Sequence, residues 1–275
     1  MGELSRLQVL EMFQSNISIA SKDLTGLNMS RAVLNGVNMA NCDLRGSNFT
    51  GANLRGANLS GIKASESSWD EANLRQANMS HSDLSSCRFI GSRLFAANMD
   101  FVDLTNSNMS GSYMSGGVSL VKASMVNVNL RGADMTLANM AEVDLTLARI
   151  KNACLRNVNL ADSILSSAVM SGSVLTESNL SRAQLSEVII DGGEFTNAIM
   201  NNADLNNAKL RRCCFRGSSL QMANLVDSSL NYSDFEGAGL TLADLTRADL
   251  RGTILLGANI QWADLSGTEF DEAVG

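Results

Sequence analysis

A large aliphatic or aromatic residue recurs at every fifth position through almost the whole chain. This periodicity restricts the fold more than any other property of the sequence. Counting from Ile19 in fives gives Leu24, Met29, Leu34, Met39, Leu44, Phe49, Leu54 and Leu59, and so on to Met114. One residue is inserted near Ser115-Gly116-Gly117; the count resumes at Leu120 and runs unbroken to Phe270. Of the 51 centres, only Ala64 is not Leu, Ile, Met, Phe or Trp. Two residues before each centre stands mostly Ala, Ser, Val or Cys. Immediately before it stands usually Asn or Asp, as in Ala52-Asn53-Leu54-Arg55-Gly56 and Ala248-Asp249-Leu250-Arg251-Gly252. A period of five matches neither the helical period of 3.6 nor the strand period of 2. It matches a short extended side followed by a turn, with the centre and the small residue two before it pointing inward.

A chain that turns after every fifth residue winds into a polygonal coil, and the aromatic centres set the number of sides. Phe49, Trp69 and Phe89 are 20 residues apart, as are Phe195, Phe215 and Phe235. Rings at that spacing stack if four pentapeptides close one coil. Asn38, Asn58, Asn78 and Asn98 keep the same interval, which suits side-chain amide ladders between coils. The 51 centres then make nearly 13 coils; at the strand spacing of roughly 4.8 Å they form a rod about 60 Å long. One Leu-sized and one Ala-sized side chain per side fill the interior, so it is a packed core rather than a channel.

The pattern resembles the pentapeptide repeat family, whose consensus is Ala-(Asp/Asn)-Leu-x-x, over about 250 of the 275 residues. The resemblance implies an all-β, right-handed quadrilateral parallel β-helix. The local departures are Ala64 at a centre, Leu27 and Ile62 at small-residue positions, and the insertion. The expected organisation is an N-terminal cap over residues 1–16 and one β-helix over 17–275, with a one-residue register slip near 115–119 that leaves the faces aligned. Leu4, Leu7, Leu10 and Phe13 lie near helical spacing within residues 3–14, which predicts a short capping helix. No second helix follows Phe270, so the last coil is expected to expose apolar side chains, which suits an end-to-end homodimer.

Chemistry finds little purchase here. His81 is the only imidazole, so every Ser-His-Asp or Cys-His set would have to use it, and it falls on an outer turn. Walker, GxGxxG, His-Glu-x-x-His and Cys-x-x-Cys patterns are absent. The odd set Cys42, Cys87, Cys154, Cys213 and Cys214 lacks metal-ligand spacing and reads as free thiols of a reducing cytoplasm. No catalytic, cofactor or metal site is expected. The net charge of −7 disfavours direct nucleic-acid binding. No apolar stretch approaches membrane-spanning length, and neither a signal peptide nor a myristoylation motif at Gly2 is expected, since Arg6 stands where that motif needs Ser or Thr.

Sorting outward residues by side leaves two candidate surfaces. An acidic face collects Asp23, Asp43, Asp83 and Asp103 with Glu66, and, beyond the insertion, Asp144, Asp204, Asp227, Asp244 and Asp264 with Glu187. It is opposed only by Arg45, Lys63 and Arg247. An apolar stripe comprises Met222, Leu242 and Trp262, 20 residues apart, and a looser group of Phe95, Phe101, Tyr113 and Val121 surrounds the insertion. The leading expectation is a non-enzymatic scaffold that binds a protein partner, in a bacterial cytoplasm. The resemblance implies two alternatives. One is a DNA mimic that protects DNA gyrase and topoisomerase IV, conferring quinolone or toxin resistance, although the acids fall mostly in every second coil. The other is a secreted bacterial effector.

Overall fold

The computed structural model describes residues 4–275; Met1, Gly2 and Glu3, and with them the start of the expected cap, lie outside the described residues. Two compact units divide the chain, residues 1–139 and 140–275. Each is built from the same coil. In the first unit, residues at the position before the centre pair in parallel with residues one coil on, as in Asp23 with Asp43 and Asn28 with Asn48. Val33 with Asn53 and Asn38 with Asn58 complete the four sides. In the second unit the interval is again 20, from Asp144 with Ile164 to Ile254 with Val274. Each side contributes a single bridging residue and no longer strand.

In a pentapeptide with Asn or Asp before the centre and a coil on either side, each backbone N–H has a partner, and this explains the repeat. The centre N–H donates to the next coil (Leu24 N to Asp43 O, 2.8 Å) and the residue before it donates to the previous one (Asp43 N to Lys22 O, 3.0 Å). The second turn residue also donates forward (Gly26 N to Arg45 O, 2.9 Å), and the small residue closes the turn (Leu27 N to Leu24 O, 3.2 Å). The first turn residue alone lacks a backbone acceptor. The Asn or Asp before the centre supplies one: Thr25 N donates to Asp23 Oδ1 at 3.0 Å, and Ser30 N to Asn28 Oδ1 at 3.0 Å. The preference for Asn and Asp is an Asx turn that satisfies the fifth amide. Where that residue is neither, the coil before can substitute, as when Ile90 N donates to Asp70 Oδ1 at 2.8 Å and Gln221 N to Asn201 Oδ1 at 3.0 Å.

The core follows the inward pair of positions. Phe49, Trp69 and Phe89 stack with centroids 4.4 and 6.0 Å apart, and Phe195, Phe215 and Phe235 at 4.9 and 4.7 Å. Most buried serines in the small positions donate to core carbonyls, as Ser47 Oγ does to Leu24 O at 2.9 Å; Ser92 and Ser112 are the exceptions, with no partner for Oγ. Ala64 shares its coil with Trp69, whose indole N–H donates to Ser67 Oγ at 2.6 Å; Ser67 in turn donates to the Ala64 carbonyl. A small centre beside the largest one keeps the filled volume constant. The Asn38 series occupies one side as expected, but its Oδ1 atoms turn into their own turns (Ser60 N to Asn58 Oδ1, 3.2 Å). Side-chain amide ladders form elsewhere, between Asn73 and Asn53 at 3.0 Å and Asn179 and Asn159 at 3.2 Å.

The helix α1 spans Arg6–Gln14, capped by a reciprocal Ser5–Gln8 box. Its buried residue is Val9, while Leu7 points to solvent, so the inward stripe differs from the one the Leu4, Leu7, Leu10, Phe13 spacing suggests. Arg6 Nη1 donates to Asn28 O at 3.1 Å and Ser30 O at 3.0 Å. Carbonyls at those two repeat positions elsewhere accept from the preceding coil, as Asn48 O does from Met29 N and Thr50 O from Arg31 N. Arg6 therefore stands in for a missing coil. At the insertion, Gly116 and Gly117 both take positive φ, 72° and 84°, so one turn holds an extra residue. Pairing steps by 21 for four bridges, from Asn98 with Ser119 to Tyr113 with Asp134, and returns to 20 at Ser119 with Asn139.

Candidate interaction surfaces

All side chains that leave the wall depart from three positions of the pentapeptide: the residue before the centre and the two turn residues. The second turn residue has positive φ in every one of the 51 repeats. None of the 51 is Val, Ile or Thr, because a β-branched side chain is worst tolerated in the left-handed region. Long side chains are accommodated there and project to solvent. Met222, Leu242 and Trp262 sit at this position in three successive coils of the second unit, 57%, 50% and 71% exposed.

The acidic residues divide by unit. In the first, Asp23, Asp43, Lys63, Asp83 and Asp103 form one continuous bridge ladder. Asp23–Asp43 and Asp83–Asp103 are thus neighbours at one coil spacing rather than two, and Lys63 interrupts them. In the second, the ladder runs Asp144, Ile164, Gln184, Asp204, Asn224, Asp244, Asp264. Asp227 lies on a turn, exposed, where Arg247 holds it at 2.5 Å; Arg45 holds Asp43 at the same distance. Two of the three bases expected to oppose the acids, Arg45 and Arg247, are therefore bound to them, and the third, Lys63, stands within the ladder itself. The Arg45 side chain depresses the Asp43 carboxyl below the usual carboxylate range, and Arg247 does the same to Asp227. Asp23 is lowered by the Thr25 backbone N–H and Asp264 by the Ser266 hydroxyl and N–H. One oxygen of each ladder Asp is thereby committed to its turn.

The loose apolar group does not assemble as one patch. Phe101 leaves the wall at a different side from Phe95 and Tyr113 and stacks on His81, centroids 4.8 Å apart. Phe95 instead receives the Arg75 guanidinium at 4.6 Å from its centroid. Its ring also covers Gly116, where an added Cβ would lie 1.9 Å from a ring atom. Beside it lie Arg93 and Tyr113. This cationic and aromatic cluster escaped the sequence reading because Arg55, Arg75 and Arg93 are dispersed there; placing them on one side requires the four-fold register and their two different repeat positions.

Cys42, Cys87 and Cys213 are buried in small-residue positions, and desolvation pushes the Cys87 thiol up to about 11 and the Cys213 thiol to about 12. No cluster of three or more potential metal ligands occurs among the described residues. In the last coil Ile260, Phe270 and Val274 are exposed and line an open depression with Leu255. Among the described residues no helix is long and apolar enough to cross a membrane.

Eight copies of the family model for pentapeptide repeats match within residues 23–111 and 117–271. The chain belongs to the pentapeptide repeat family, and its fold is the right-handed quadrilateral β-helix of that family. Among solved structures it is similar to a pentapeptide repeat protein of the Arabidopsis thaliana thylakoid lumen, at 26% identity over 35% of this chain and 68% of that one, TM-score 0.35. It is also similar to HetL of the cyanobacterium Nostoc sp. strain PCC 7120, a protein involved in heterocyst differentiation regulation, at 21% identity over 98% and 97%, TM-score 0.26. A third likeness is to QnrB1, a plasmid-mediated fluoroquinolone resistance protein, at 13% identity over 91% and 90%, TM-score 0.25. No curated protein sequence matches the chain.

Proposed function

We propose that this chain is a non-enzymatic scaffold that binds a protein partner through side chains projecting from its turns. The observation that carries this reading is the exposed column Met222, Leu242 and Trp262. The same turn position accepts Asn, Gly, Arg or Glu elsewhere in the unit, so the fold does not require apolar residues there. A contiguous exposed apolar stripe favours burial against a partner, and Trp and Met are residue types that interface cores prefer. The test is a photoreactive amino acid at position 242, with one at Glu177 as control. A discrete protein adduct from position 242, lost in a Trp262→Ala background, is expected. Identical adducts from both positions would sink the reading.

A second reading, protection of DNA gyrase or topoisomerase IV by DNA mimicry, draws on the acidic ladder of the first unit. Asp23–Asp43 and Asp83–Asp103 present carboxylates at adjacent coil spacings, closer to the charge density of a nucleic-acid backbone than alternate coils would give. Purified protein should then relieve quinolone inhibition of gyrase supercoiling, and Asp83→Asn/Asp103→Asn should weaken that relief. No relief by the unaltered protein eliminates this reading.

A further inference from the structure

The side of the first unit that carries Asn53, Asn73, Arg93 and Tyr113 has a chemistry unlike its neighbours. Arg55, Arg75 and Arg93 are all exposed there and make no ion pair among the described residues, whereas Arg88 on an adjoining side and Arg45 on the opposite one are each bound to a carboxylate. Arg55 has only a 3.4 Å contact to Gln76 Oε1. Arg75 lies on the ring of Phe95, which is held against Gly116 of the inserted turn. Phe95 is 38% and Tyr113 56% exposed. A groove of about 700 Å³ runs along one edge of this side, lined by Arg31, Asn53, Glu71, Asn73, Arg93 and Tyr113; Glu71 is its one carboxylate.

We infer that this side binds an acidic segment of a partner protein that also carries an aromatic residue. The inference deepens the scaffold reading and rests on it. Guanidiniums without carboxylates are matched by an anionic ligand, and they grip carboxylates bidentately. Stacking on Phe95 fixes Arg75 before binding, so less side-chain entropy is lost on contact. Tyr113 and the open part of Phe95 seat an aromatic side chain. The bridging amides of this side are committed to coil pairing, as Arg93 N is to Ala72 O and Tyr113 N to Ser92 O, which leaves no open strand edge here and makes recognition a matter of side chains. The patch spans three coil spacings, about 15 Å, the length of four or five extended residues. A longer polyanion would extend past these arginines into the field of a chain with net charge −7, so a short acidic peptide fits better than single-stranded nucleic acid.

Fluorescence anisotropy on the full chain tests this, with a labelled hexapeptide Asp-Glu-Phe-Asp-Glu-Glu as probe and its Lys-substituted counterpart and a dT10 oligonucleotide as comparisons. Saturable binding of the acidic probe is expected, weakened at least tenfold by Arg75→Glu/Arg93→Glu and about threefold by Phe95→Ala. Arg211→Glu, in the second unit, should leave it unchanged, and far-UV circular dichroism verifies that each variant is folded. Absence of saturable binding by the acidic probe overturns the inference, as does equal binding by Arg75→Glu/Arg93→Glu or tighter binding of dT10. If the position-242 adduct persists while the probe fails, only this inference falls; if both fail, the scaffold reading falls with it.

Discussion

At the residue scale the pentapeptide is a set of five amides with five fixed acceptors, and most sequence preferences follow from that. Ser86 occupies the left-handed turn position with φ 56°, exposed to solvent. Replacing it with Val forces a β-branched side chain into that region and should cost about 1–3 kcal/mol. Ser86→Gly should change stability by no more than about 1 kcal/mol, since relief of strain is offset by a freer unfolded chain. Thermal melts of the two variants check the pair, and equal melting would refute the steric account. The five-residue period, the four sides and the aromatic stacks were legible because each depends on residue identity at fixed intervals. The role of Asn and Asp was visible only as a preference, because its cause is an amide count that needs the bond directions. The ban on β-branched residues at the second turn position was present in the sequence as an absence, which a search for enriched residues does not find.

Among the described residues the elements are coils and the helix α1, and each contacts mainly its neighbours, so damage should stay local. Trp69→Ala removes the central ring of the Phe49–Trp69–Phe89 stack and frees the Ser67 hydroxyl from its indole partner. A cost of about 3–5 kcal/mol is expected, read as a lowered melting temperature, whereas Trp69→Phe should recover most of it. At the N-terminal end, Arg6→Ala leaves the Asn28 and Ser30 carbonyls without their donor. Hydrogen exchange should then accelerate over residues 19–38 and leave the coils beyond residue 80 unaffected; uniform acceleration would show that α1 stabilises more than the first coils. The helix was readable from apolar spacing, but its orientation was not. Leu7 and Val9 are both apolar, and the structure buries Val9 while Arg6 reaches the Asn28 and Ser30 carbonyls.

At the scale of the whole molecule the charge distribution sets a dependence on pH whose sign can be worked out. Arginine partners hold the carboxyls of Asp43, Asp162, Asp191, Asp227 and Asp249 below the ordinary range. Turn hydrogen bonds do the same for Asp23 and Asp264. In the unfolded chain these groups titrate near about 3.9. A depressed folded value means that the unfolded state takes up protons first as pH falls, so the stabilisation is complete above about pH 5 and is lost as pH drops through 4 and below. With a single His in 275 residues, the melting temperature should be flat from pH 6 to 8. Salt separates the two causes. At 1 M the screening length is about 3 Å, which weakens the exposed arginine pairs and leaves the Asx turns in place. The acid loss should therefore shrink in 1 M NaCl and persist in part, measured by thermal melts at protein concentrations low enough to avoid association near the isoelectric point of about 4.8. If high salt abolishes the loss entirely, the turn carboxylates contribute nothing to it. Asp at those positions is then equivalent to Asn for stability, and the acidic ladder has no structural reason to carry charge.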